Sequence, residues 1–176
     1  FILGKMGQNS QESFVSYIDL LRVMDNLYNT DVYNLVNLAV DRRAALNTHL
    51  IEMDSAISEG LAVYELLQQQ LEVLDLEYEK ITSQRDLYEN AFFEDITALK
   101  GQDGYYKLGL FTEFSQTALK IKAEYNAKRV IRDMLVSALN LLRPRYKDIS
   151  TNAEALIKGV KVFDLPDSDI DVIISP

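Results

Sequence analysis

From Thr30 to Leu99 apolar side chains return at nearly every third or fourth position, with no proline and a single glycine. In alternating steps of three and four the positions are Val36, Ala39, Arg43, Leu46, Leu50, Met53, Ile57, Gly60, Tyr64, Leu67, Leu71, Leu74, Tyr78, Ile81, Arg85, Tyr88, Phe92, Asp95 and Leu99. A 3-4 spacing held over about nine heptads predicts one long helix with a coiled-coil seam, because that repeat keeps a narrow apolar edge in line. At 1.5 Å per residue such a helix would run roughly 100 Å, too long for the centre of a compact globule.

A second ladder follows: Phe111, Phe114, Ala118, Ile121, Tyr125, Lys128, Arg132, Leu135, Leu139, Leu142, Tyr146, Ile149, Ala153, Leu156, Val160 and Phe163. Between the two lies Gly101-Gln102-Asp103-Gly104, the strongest turn signal in the chain. The pattern therefore reads as an antiparallel hairpin. Pro144 sits inside the second ladder without shifting its phase, which describes either a kinked helix or two helices laid end to end. Upstream, Asn9 and Glu12 form a capping box that opens a shorter helix. Its apolar face is Phe14, Ile18, Leu21, Met24 or Asp25, and Tyr28, widened by Tyr17 and Leu20. Asn29-Thr30 breaks it, with Thr30 as the next N-cap and Asp31 favourably placed against the helix dipole.

The expected fold is all-α: a long antiparallel helical hairpin of coiled-coil type, with a third, shorter N-terminal helix packed at its base. It covers residues 1–162, with helices at about 9–28, 31–99 and 105–160 and a kink near 144. Residues 163–176 form an acidic tail, Asp167-Ser168-Asp169-Ile170-Asp171, leading into one short strand at Val172-Ile173-Ile174. The alternating aspartates resemble the opening of a calcium loop, but the sixth-position glycine and twelfth-position glutamate are missing.

A register follows if facing residues have numbers adding to 206. Phe92 then meets Phe114, Tyr88 meets Ala118, Leu71 meets Leu135, Met53 meets Ala153 and Gly60 meets Tyr146. Large residues face small ones at several layers, and Asp86 falls beside Lys120, Glu77 beside Arg129, Glu59 beside Lys147 and Arg42 beside Asp164. Gly60 opposite Tyr146, one turn from Pro144, marks the weakest level, since both glycine and proline destabilise a helix interior. It reads either as a hinge or as a fixed kink in which Gly60 makes room for the ring.

Composition narrows the function classes. The net charge of −9 leaves no basic stripe for nucleic acid and no polybasic surface for anionic lipid. With no cysteine, thiolate metal sites, cysteine nucleophiles and disulfides are excluded. No run of 18 apolar residues exists to span a bilayer. The chain opens on Phe1, which reads as a processed or truncated piece and slightly favours an extracytoplasmic or cell-envelope location.

Chemistry is sparse. The one histidine, His49, stands with Glu52 three residues on, and reads as a solvated pair on a helix flank. No phosphate loop, dinucleotide fingerprint, nucleophile elbow or His-Glu-x-x-His occurs. No catalytic, cofactor-binding or metal-binding residue is therefore assigned, and no cofactor, small-molecule substrate or enzymatic activity is expected. Surfaces remain. Tyr105, Tyr106, Leu108, Leu110 and Phe111 are unusually apolar for a hairpin end, and either dock a partner or fold inward to cap the seam. The expected function is a non-enzymatic scaffold or adaptor that presents this tip to a partner protein or to a second copy. The alternative is a membrane-interacting hairpin, toxin-like or curvature-binding, that touches lipid through the tip only. A metal-carboxylate enzyme is the distant third.

Overall fold

The computed structural model describes residues 10–94 and 102–162. These form five helices and, among the described residues, no strand: α1 (Ser10–Tyr28), α2 (Val32–Leu38), α3 (Arg42–Glu94), α4 (Gln102–Thr151) and α5 (Ala153–Ile157). The fold is an all-α helical hairpin in which α3 and α4 are the two arms. By its contacts the chain divides into two compact units, Phe1–Leu66 with Ile131–Pro176, and Leu67–Val130. The acidic tail and Val172–Ile174 lie outside the described residues, as does the reversal between Glu94 and Gln102.

The first unit is built on α1, α2, the start of α3, the end of α4 and α5. A helix of 19 residues is marginal alone. α1 is held because Tyr17, Leu20, Met24 and Leu27 are all buried along one stripe. Each large apolar side chain buried this way contributes about 1.5–3 kcal/mol. The stripe is turned by one position from the expected one: Ile18, Leu21 and Tyr28 lie at its half-buried edge. Opposite them α3 supplies Leu46, Met53, Ala56, Ile57 and Val63, and α4 supplies Ile131, Leu135, Leu139, Leu142 and Ile149.

The expected helix 31–99 is interrupted near its start. Asp31, rather than Thr30, caps α2 by accepting from the Asn34 amide at 3.1 Å. Thr30 instead donates its hydroxyl to the Asn26 carbonyl at 2.8 Å. α2 stops at an extended Ala39, and α3 restarts on Asp41, whose carboxylate accepts from the Ala44 amide at 3.1 Å. The break follows from two good caps ten residues apart in a ladder that itself continues. It lets Val32 and Val36 bury completely while Leu38 and Val40 stand in solvent, and it seats α2 on α5.

The expected helix 105–160 is also divided. α4 carries Pro144 in its interior and runs on to Thr151. Asn152 then separates it from α5, whose Leu156 is buried. Gly159 ends α5 at φ +82°, with its amide bonded to the Leu156 carbonyl at 3.0 Å and the Val160 amide to the Ala155 carbonyl at 2.9 Å. This pairing is a Schellman cap, which needs a left-handed residue at that position. Arg43 grips Glu154 through two bonds of 2.9 and 3.1 Å.

The second unit contains only the later part of α3 and the first part of α4. Its core is thin: Leu67, Leu71, Leu74 and Ala118 are buried, with Tyr88 stacked on Phe114 at 5.8 Å between centroids. Lys122 lies over the rings of both Tyr78 and Tyr125, each at 5.4 Å, and Lys128 donates to Gln70 at 3.0 Å. With two helices there are too few faces to cover every apolar side chain. Val73, Leu76, Leu87, Leu119 and Val130 remain exposed.

These contacts correct the expected register by one heptad. Gly60 faces Leu139 rather than Tyr146, Tyr88 stacks on Phe114 rather than meeting Ala118, and Tyr78 meets Lys122. A heptad ladder matches itself after every seven residues, so periodicity alone accepts either alignment. The contacts across the hairpin decide between them. Gln102, Asp103 and Gly104 belong to α4, so the helix begins inside the expected Gly101–Gly104 turn. Of the expected flank pairs, Asp86 instead binds its neighbour Arg85 at 3.0 Å, and Arg42 with Asp164 lies outside the described residues; Arg43 takes the carboxylate of Glu154 across the hairpin.

Candidate functional site

The first turns of α4 hold the expected partner-binding residues. Tyr106 is 66% exposed and Leu108 49%, while Leu110 and Phe111 are half-buried. Tyr105 is helical, and its side chain lies outside those described. At i and i+2 the two side chains leave the helix in different directions, so they widen the apolar surface of these turns and do not form one patch.

The first unit has a second apolar feature. Ile18, Leu21, Met24 and Tyr28 of α1 and Met134, Ala138 and Leu141 of α4 line a groove enclosing about 460 Å³. Arg22 and Asp25 lie on its α1 side. On the other side of α1, Leu20, Val23, Leu27, Ile51 and Ala56 line a smaller groove of about 310 Å³, with Glu52 and Glu59 at its rim. Sequence reasoning missed both grooves because they exist only where α1 lies against the hairpin arms.

The two hinge residues do not share a level. A methyl built on Gly60 would stand 2.9 Å from Leu139 Cδ2 and 3.5 Å from Met24 Cε. Gly60 is thus a point where α1, α3 and α4 lie close together. Pro144 lies five residues past Leu139, about 7.5 Å further along α4. Tyr146 is half-buried and faces the Asn47, Leu50, Ile51 and Asp54 side of α3.

The largest departure from expectation is a buried polar cluster. His49 is 4% exposed, not solvated, and its Nε2 has no hydrogen-bond partner. It sits three residues after Leu46 and four before Met53, on the buried face of α3. Arg145 occupies the matching place on α4, three after Leu142 and four before Ile149, and is 3% exposed with Nε and Nη1 unpartnered. Its guanidinium lies over the Tyr28 ring, 5.1 Å from the centroid. Burial lowers the pKa of both groups. For His49 the charge of Glu52 opposes the shift and that of Arg145 adds to it. For Arg145 the surrounding Tyr28, Asp148, Asp31 and Tyr33 oppose it. The 3/4 spacing to flanking core residues was the available signal for both.

Burial also raises the Tyr17 hydroxyl, which is likewise unpartnered. Among the described residues no three His, Cys, Asp or Glu side chains converge as a metal site would need. No described helix is long and apolar enough to cross a membrane. Compared with known proteins, the chain matches no family model, no curated protein and no solved structure.

Proposed function

We propose that the chain is a non-enzymatic helical scaffold or adaptor that engages a partner protein through the apolar start of α4. The observation that supports this reading is the exposure of Tyr106 and Leu108 in the first turns of α4, with Leu110 and Phe111 half-buried beyond them. Aromatic and aliphatic anchors of this kind supply most of the energy at protein interfaces. The net charge of −9 suits a soluble carrier and disfavours attraction to anionic lipid.

The test introduces a photo-crosslinking residue at Tyr106 and, separately, at the exposed Glu79 of α3, in cells that express the chain. A discrete adduct from position 106 that is absent from position 79 and lost in Leu108→Ser supports the reading. Adducts at neither site, or equally at both, contradict it.

The alternative, contact with a membrane interface, is supported by the same two exposed side chains. Flotation with phospholipid vesicles separates the two readings. Binding by the wild type that disappears when Tyr105, Tyr106, Leu108, Leu110 and Phe111 become serine supports the membrane reading, and a wild type that never floats removes it.

A further inference from the structure

The core of the first unit holds two basic side chains, His49 on α3 and Arg145 on α4, each almost wholly out of water and each with unpartnered nitrogen. A buried polar group without a partner costs free energy, and a buried uncompensated charge costs far more. Arg145 is tolerated because the Tyr28 ring lies against it and because Asp31 and Asp148 surround it with negative charge. His49 is tolerated only as a neutral imidazole. Its single nearby carboxylate, Glu52, is on its own helix at an exposed position, and the charged group facing it from α4 is Arg145. From α1, the α1–α2 junction and α2 the groups around this pair are Tyr28, Asp31 and Tyr33, all of which act on Arg145.

We propose that this junction is an acid-sensitive latch: a proton on His49 places a second buried cation beside Arg145 and releases the end of α1 that Arg145 holds through Tyr28. Tyr28, Met24 and Leu21 form the α1 wall of the larger groove, so loosening α1 also unmakes that groove.

The direction follows from linkage. Burial lowers the folded-state value of His49, so the unfolded chain takes up its proton first, at about pH 6.5. The contribution of neutral His49 is intact above that pH. It is lost as pH falls from there to the lower folded-state value, and no further loss occurs below it. Carboxylates such as Glu154, held below the ordinary range by Arg43, act in a separate, more acidic window.

His49 is the chain's single histidine, so its imidazole resonance is unambiguous in the intact protein. The experiment follows that resonance from about pH 7.5 to about pH 5, together with amide hydrogen exchange of α1 corrected for the intrinsic pH effect. The expected result is titration below the ordinary histidine range and a loss of α1 protection that tracks it. His49→Gln keeps a neutral polar side chain and should keep α1 protected throughout. Arg145→Met, which removes the resident cation that a charged His49 would face, should shrink the loss. A wild-type imidazole that titrates at or above about 6.5 overturns the proposal. So does α1 protection that is unchanged on titration, or a loss of protection that His49→Gln reproduces in full.

Discussion

Gly60→Ala is the sharpest single perturbation of the α3–α4 packing. Two effects oppose each other. Alanine is favoured over glycine in a helix interior by about 1 kcal/mol. Against this, the new methyl would stand 2.9 Å from Leu139 Cδ2, the end of a fully buried side chain that has to shift to admit it. Overpacking of this kind costs about 1–3 kcal/mol, so the net expectation is a destabilisation of about 0–2 kcal/mol. The single value is less informative than its coupling. Leu139→Ala alone should cost about 2–5 kcal/mol, as cavity-forming changes at fully buried leucines do. In the double variant the methyl at 60 enters space that Leu139 has vacated, the clash disappears, and the propensity gain remains. The pair should therefore be more stable than the sum of the singles by about 1–3 kcal/mol, a coupling well beyond ordinary additivity error. The same cycle with Tyr146→Ala should add within about 0.5 kcal/mol. Urea unfolding followed by circular dichroism reads all six proteins. Coupling of Gly60 to Tyr146 and none to Leu139 would refute the observed register and restore the one expected from periodicity.

Three further expectations rest on separate contacts. Gly159→Ala forces a left-handed residue to carry a side chain 2.9 Å from Arg42 Nη1, and should lower stability by about 1–2 kcal/mol in thermal unfolding. Arg145→Met removes two unpartnered donors while keeping much of the packing against Tyr28, and should leave stability at neutral pH within about 1 kcal/mol of wild type or raise it; a larger loss would mean the guanidinium is paired in solution. Glu154 has its pKa lowered by the hydrogen bond from Arg43 and then by its charge, so the contribution of this pair is present above about pH 4.3 and lost as pH falls through the folded-state value. The stability difference between wild type and Arg43→Ala, measured by urea midpoints, should accordingly vanish in strong acid.

Fold class and helix order were legible because they depend on quantities the sequence carries directly. Apolar spacing, the scarcity of glycine and proline, and one turn signal are enough to define a helical hairpin with a shorter helix before it. What was not legible has a common physical cause. A seam defined by a 3-4 ladder assumes a two-helix contact, whereas in the first unit α1 adds a third face and the buried row on α3 widens from Leu46, Met53 and Ile57 to take in His49, Ala56 and Val63. The ladder's own Leu50 and Tyr64 are only half-buried. His49 was read as solvated for that reason, and Arg145 was passed over for its neighbour Tyr146. The break at Ala39–Asp41 was hidden because its caps are local side-chain bonds that leave apolar periodicity untouched. Of the five residues Tyr105, Tyr106, Leu108, Leu110 and Phe111, singled out for their apolar character beside the turn signal, the periodicity does not say which face solvent; Tyr106 and Leu108 do, and Leu110 and Phe111 are half-buried.

Nuclear Overhauser contacts in a methyl-labelled sample read directly which residues of α3 and α4 face each other. The Leu139 methyls should show cross-peaks to the Gly60 α-protons and to the Met24 methyl. Cross-peaks from the Gly60 α-protons to the Tyr146 ring, with none to Leu139, would contradict the observed register.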